Sequence, residues 1–144
     1  MRKGIDYVAI AVAFFCHDGK GNFLLNKRSK MSRDEYGTWD QGGGSIEVGE
    51  TVEEALTREI KEEYCVNIIN SEFLGFRDVQ RVDEQNNKTH WIMLDFKVLI
   101  DREKAANGVP EKHDEIGWFG INNLPKPLHS QLPNFLQKYK EKLL

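Results

Sequence analysis

The feature that most limits how this chain can fold is the run T-V-E-E-A-L-T-R-E-I-K-E-E-Y, from Thr51 to Tyr64. It contains no Gly or Pro and is rich in good helix formers. Thr51 followed by Glu54 is a capping box, which predicts a helix with Thr51 as its N-cap. On a wheel of about 100° per residue, Glu59, Glu62 and Glu63 fall within an arc of roughly 100°, near Ala55 and Val52. Leu56 and Ile60 lie beside that arc and Tyr64 beyond it, so one flank can dock on a core. The acidic arc is the anomaly. Like charges three and four residues apart repel by about 0.2–0.5 kcal/mol per pair. Two of the three also sit in the last turn, where the helix dipole disfavours negative charge. A hard divalent cation reverses the sign of that argument, because Mg²⁺ takes oxygen ligands. For E-x-x-E-E alone the commoner explanation is a solvated acidic face balanced by Lys61 and Arg58.

The wider spacing changes that balance. From Gly44 to Val66 the chain reads G-S-I-E-V-G-E-T-V-E-E-A-L-T-R-E-I-K-E-E-Y-C-V. Gly44, Glu50, Arg58, Glu59, Ile60, Glu62, Glu63 and Val66 stand at the spacing Gly, five residues, Glu, seven residues, Arg-Glu-apolar-x-Glu-Glu-x-Gly-apolar, with Cys65 in place of the second Gly. This stretch resembles the signature of the Nudix hydrolases, and the resemblance implies an α/β fold, an α/β/α sandwich with a mixed β-sheet. Outside it the agreement is one of pattern: an opening apolar strand, L-L-N-K-R-S, Trp39 before the glycines, and a late Trp118-Phe119. If the chain must turn left-handed at Cys65 to end the helix, a non-Gly residue there costs about 1 kcal/mol.

With 144 residues, 40% hydrophobic and 30% charged, the chain reads as one compact domain over 1–144. A net charge of −3 argues against a nucleic-acid polymer as partner, which calls for a basic footprint. Cys16 and Cys65 have no metal-ligand spacing and read as free thiols in a reducing, cytoplasmic setting. Arg2 and Lys3 before the apolar run Tyr7–Cys16 imitate a signal peptide, but Asp6 opens that run, so a first β-strand is the better reading. No run reaches the ~18 apolar residues of a membrane span.

Along the chain, Tyr7–Cys16 and Phe23–Lys27 read as strands around a turn at residues 17–22. Residues 27–38 form a polar loop with Lys27, Arg28, Lys30 and Arg33, either solvated or a phosphate clamp. Gly42, Gly43 and Gly44 permit unusual dihedrals or a close backbone approach, or simply make a tight turn. Ile68–Phe76 and Arg77–Arg81 read as strand interrupted near Gly75, and residues 83–88 as a hairpin loop. Thr89–Ile100 alternates, with His90, Ile92, Leu94, Phe96, Val98 and Ile100 on one face and Trp91, Met93, Asp95, Lys97 and Leu99 on the other. Ala105–Glu111 is a loop, Glu115–Phe119 a short strand, and Ser130–Leu144 a closing amphipathic helix with Phe135, Leu136 and Tyr139 inward and Pro133 in its first turn.

The resemblance assigns roles. It implies Mg²⁺, with Mn²⁺ as an alternative, held by Glu59, Glu62 and Glu63, with a carbonyl from Gly43 or Gly44 as a further ligand. Glu50 and Arg58 would pair and orient the ligands, and Arg28 would contact phosphate. The general base is a signature glutamate, Glu59 or Glu62, or an acid ahead of the late Trp, at Glu111, Asp114 or Glu115. His113 reads as an exposed, solvated histidine. Trp91 or His90 could stack on a base, though ordinary sheet packing is commoner. The family cleaves nucleoside diphosphates linked to another group. The subclass marks for ADP-ribose, dinucleoside polyphosphates and coenzyme A are absent, which leaves a MutT-like action on a (deoxy)nucleoside triphosphate, giving monophosphate and pyrophosphate. Another nucleotide class, or a binding module without turnover, are the alternatives. The expected partner is a small-molecule nucleotide, with the protein a monomer or homodimer and no membrane involved.

Overall fold

The structure, a computed structural model, describes residues Met1–Leu144. Its elements are β1 (Ala9–His17), β2 (Asn22–Arg28), β3 (Trp39–Asp40), β4 (Gly42–Ser45), α1 (Val52–Tyr64), β5 (Asn70–Val82), β6 (Lys88–Leu99), β7 (His113–Gly120), α2 (Leu132–Lys138) and a 3-10 turn (Lys140–Leu143). The sheet runs β3-β2-β1-β6-β5, with β7 on β2 and β4 on β1. It is mixed: β1 and β6 are parallel over nine paired residues, and the other strand pairs are antiparallel.

Alternation along β1 builds both faces of the core. Val12, Phe14 and Cys16 join Leu56, Ile60 and Tyr64 of α1 on one face. Phe15 joins Leu132, Phe135, Tyr139 and Leu143 on the other. The sheet therefore lies between α1 and the C-terminal helical segment, an α/β/α sandwich.

Strand β1 also opens the cleft. One edge pairs with β6 throughout. The other serves two strands, β4 through Ala11–Phe14 and β2 through Cys16 and His17. Where those two part, a cleft of about 1260 Å³ forms over Ala11 and Ala13.

Helix α1 has the expected start. Thr51 Oγ1 accepts from Glu54 N at 3.1 Å and Glu54 Oε1 accepts from Thr51 N at 3.1 Å. It ends on Cys65 at φ 60°, ψ 26°, whose N–H donates to Lys61 O. The missing glycine is compensated from a distance. The carbonyls of Glu63 and Tyr64 accept from Gly108 and Ala106, at 2.9 and 3.0 Å. Gly108 has to be small, since a Cβ there would lie 2.1 Å from Glu62 O.

Other boundaries differ from expectation for identifiable reasons. Strand β1 begins at Ala9 rather than Tyr7, because residues 2–7 fold into a turn with Gly4 at φ 77° and a Lys3–Tyr7 bridge. The three glycines are not a turn and none has positive φ; Gly42–Ser45 is a strand. Gly75 does interrupt β5, with φ 150° and a register shift between Phe73 and Gly75. The closing helix is shorter than Ser130–Leu144. Ser130 spends both its N–H and its hydroxyl on Glu35 instead of capping, and the helix breaks at Tyr139. Leu132, Phe135, Tyr139 and Leu143 keep one buried face across the break, and Leu136 packs beside it half-buried.

Candidate active site

The acidic face of α1 forms one wall of the cleft, and β4 brings its backbone against it. The glycines are needed for room. A Cβ at Gly42 would lie 2.0 Å from the Phe14 ring, and one at Gly43 2.8 Å from Val12 O. One at Gly44 would lie 2.1 Å from the carboxyl carbon of Glu59. The absent side chain at Gly44 is what lets Glu59 reach the cleft.

Arg58 organises this wall. Its Nε and Nη2 donate to both oxygens of Glu50, at 2.6 and 2.9 Å, a bidentate fork. Nη1 donates to Glu59 Oε1 at 2.8 Å and reaches Glu62 Oε1 at 3.4 Å, while Nη2 also donates to Ser45 O at 3.1 Å. The hydrogen bonds from Arg58 hold Glu50 at about 2, and Glu50 in turn raises the Arg58 pKa. Glu62 is 54% exposed at the mouth of the cleft.

Glu63 is different. It is 7% exposed, because it sits next to Leu56 on the buried flank of the helix. Burial and then the neighbouring Glu59 push its pKa well up. Its contacts are the Gly43 N–H at 3.3 Å and His113 Nε2 at 3.5 Å. No lysine or arginine pairs with it. Burial also leads the upward shift of Glu59, against the pull of Arg58. A buried anion without a cation partner is costly. A divalent ion beside Glu59, Glu62 and Glu63 would supply that partner, so the donor set fits a hard cation.

A second acidic cluster does not fit one. Asp34, Glu35 and His129 bring ligand atoms within 4.8 Å of one another. However, Arg28 and Arg81 pair with Asp34 at 2.8 and 3.0 Å, and Arg81 pairs with Glu35 at 2.8 Å. Ser130 donates to both Glu35 oxygens at 2.8 Å, and His129 Nε2 lies 2.9 Å from Oε2, the oxygen Arg81 also holds. These carboxylates are already neutralised, and they latch the loop 29–38 to β5 and to the C-terminal segment.

Arg28 lines the cleft with Nε and Nη2 held by Asp34, while Nη1 is 3.8 Å from Asp40. Trp91 also lines it, with Arg33 5.5 Å from the ring centre. Arg58, Glu59, Glu62, Glu63 and Gly44 converge on one wall, and Glu50 stands behind it on Arg58. Asp114 and Glu115 do not join them: both are exposed and neither lines the cleft. The register shift between Lys27 and Arg28 breaks the alternation of β7, so His113 turns inward and Glu115, opposite Lys27, turns out.

His113 is the residue that sequence reasoning misjudged. It is buried, not exposed, with its ring tilted 33° to that of Tyr64 and 6.3 Å from it. Burial and then Arg28 lower its pKa to about 4, so the ring is neutral at pH 7. Its Nδ1 has no partner. The Arg77–Asp95 pair, bonded twice at 2.8 Å, was also missed. Its one sequence signal was a lone Asp in the apolar alternation of β6.

A family model described as NUDIX domain matches residues 8–139. The nucleoside triphosphatase NudI of Klebsiella pneumoniae subsp. pneumoniae is 33% identical over 114 residues, covering 74% of this chain and 79% of that protein. The dihydroneopterin triphosphate diphosphatase of Escherichia coli is 35% identical over 77 residues, covering 54% of this chain and 47% of that protein. Among solved structures, a MutT NUDIX hydrolase from Burkholderia pseudomallei superposes with TM-score 0.77 and 26% identity, covering 92% of this chain and 98% of the other. The NUDIX domain of Shewanella oneidensis NrtR, solved with ADP ribose, shares the fold at TM-score 0.72 and 18% identity, covering 96% and 90%.

Proposed function

The chain belongs to the Nudix hydrolases, and from that premise we propose that it cleaves a (deoxy)nucleoside triphosphate to the monophosphate and pyrophosphate. Membership makes it a pyrophosphohydrolase acting on nucleotides, and the family generally needs a divalent metal. The narrower reading is ours. The observation that carries metal-dependent hydrolysis is the buried, cation-free Glu63 in a cleft wall shared with Glu59 and Glu62. A relative described as a nucleoside triphosphatase supports the substrate class.

Glu59, Glu62 and Glu63, with the Gly44 carbonyl, would hold Mg²⁺ or Mn²⁺. Such ions, when bound, offset phosphate charge and make a bound water more acidic. The protein's own groups do the rest. Arg58 fixes Glu50, Glu59 and Glu62 in one rigid fork, so the carboxylates meet substrate without reorganising. Water attacks a phosphorus and one P–O–P bridge breaks. Of the two signature glutamates read as possible bases, Glu59 offers an oxygen, Oε2, that Arg58 leaves free to take the proton. Arg28, its Nε and Nη2 anchored by Asp34 and its Nη1 3.8 Å from Asp40, would offer Nη1 to a phosphate oxygen. His113 is a positioning residue: as a neutral imidazole it can donate Nε2–H to Glu63. Trp91 forms the far wall as a stacking surface for the base.

The test is product analysis on a panel of (deoxy)nucleoside triphosphates, ADP-ribose, diadenosine tetraphosphate and sugar nucleotides, with Mg²⁺ and with EDTA. The reading predicts monophosphate plus pyrophosphate from triphosphates and no turnover in EDTA. A tenfold or greater preference for ADP-ribose, about 1.4 kcal/mol, would overturn the substrate class. No turnover of any compound would leave a binding module.

A further inference from the structure

The family model matches from residue 8, yet the residues before it fold into the cleft. Gly4 N donates to Tyr7 O at 2.9 Å, closing a tight turn with Gly4 at φ 77°. The Gly4 carbonyl accepts from His90 N at 2.7 Å, which ties the turn to the start of β6. The turn lies directly against Trp91, since a Cβ at Gly4 would come 2.3 Å from the indole Nε1. This N-terminal strap places Lys3 and Ile5 in the cleft lining.

Lys3 reaches across the cleft. Its Nζ is 3.4 Å from Ser45 Oγ. Ser45 adjoins Gly44, and its carbonyl accepts from Arg58. Ser45 registers with Ala11 and Trp91 with Ala9, on opposite edges of β1. The strap backbone thus lies against Trp91, while the ammonium sits at β4, beside the carboxylate wall. The ammonium is also uncompensated. Arg28, Arg58, Arg77 and Arg81 each pair with a carboxylate, which leaves Lys3, Arg33 and Lys112 as the unpaired cations of the lining. Lys3 contacts only a hydroxyl. An ammonium has three donors and no acceptor, so it retains charge and donors for a ligand rich in anionic oxygen.

We propose that Lys3 is a substrate-binding residue, supplied from outside the family-matched region, that donates to non-bridging phosphate oxygens of the bound nucleotide. This rests on the reading that the cleft takes a nucleoside polyphosphate. The strap contributes affinity, while the catalytic carboxylates stay on α1.

The experiment compares wild type, Lys3→Ala and Lys3→Arg. It measures kcat and KM on a nucleoside triphosphate, calorimetric binding of a non-hydrolysable triphosphate analogue with Mg²⁺, and Tm. Loss of one charge-assisted contact raises KM and the analogue Kd of Lys3→Ala about tenfold. Its kcat and Tm stay at wild-type values, its binding depends less on salt, and Lys3→Arg restores affinity. Analogue binding by Lys3→Ala within about twofold of wild type overturns the proposal, as does a loss confined to kcat. If wild type binds the analogue but hydrolyses nothing, the proposed activity fails and the calorimetric comparison still decides on Lys3. If wild type does not bind it, both fall.

Discussion

Replacing Gly44 with Ala tests whether the site depends on a missing methyl group. The new Cβ would lie 2.1 Å from the Glu59 carboxyl carbon and 2.2 and 2.3 Å from its oxygens. Ordinary contact begins at 3.4 Å, so the carboxylate must retreat by roughly 1 Å, a misplacement that can cost about 10²-fold in rate. That corresponds to about 2.7 kcal/mol of transition-state stabilisation. The clash is with the far end of a flexible side chain, so folding should change by no more than about 0.5–1 kcal/mol. The assay is kcat/KM at saturating Mg²⁺ beside urea unfolding. Gly21→Ala is the counterpart: Gly21 has φ 87° in open space, so that variant loses about 1 kcal/mol of stability and keeps its activity. Gly44→Ala with kcat/KM within about threefold of wild type would refute the steric argument. A loss of several kcal/mol in stability would refute the claim that only Glu59 gives way.

Three further outcomes are expected. Glu63→Gln removes a buried charge that has no cation partner, so thermal melting without metal should show a higher Tm than wild type, while the Mg²⁺-induced rise in Tm and the turnover are lost. Cys65→Gly relieves the left-handed helix end at φ 60° and should stabilise by up to about 1 kcal/mol, read by denaturant midpoint. The loop latch is pH-dependent. His129, Arg28 and Arg81 hold the Asp34 pKa well below its usual 3.8, a depressed carboxylate, so its stabilisation is complete above about pH 4 and fades as pH falls further. Hydrogen exchange in residues 29–38, after correction for intrinsic rates, should therefore accelerate as pH falls below about pH 4.

What the sequence revealed was what short-range physics controls. The capping box at Thr51 and Glu54 and the break at Gly75 each follow from residues within one turn or one strand. The carboxylate pattern showed which residues share a helix face, and the wheel put Leu56 and Ile60 beside the acidic arc. What stayed hidden depends on partners far along the chain. His113 is buried only because a bulge opposite Lys27 and Arg28 rotates it inward. Asp95 is tolerated inside the sheet because Arg77 and Tyr139, 18 and 44 residues away, both bond to it. The glycines illustrate the same limit: they suggested backbone freedom, whereas the chain uses them to admit Phe14 and Glu59.

The shared edge of β1 has an evolutionary consequence. The bank bearing the glutamates hangs from one ladder, through β4, and the bank bearing Trp91, Val79 and Met93 from another, through β6 and β5. Side chains on the second bank can therefore be exchanged without disturbing the glycine strand that seats the first. A lineage built on this plan can drift from one nucleotide to another by surface substitution while its hydrolytic apparatus is inherited unchanged.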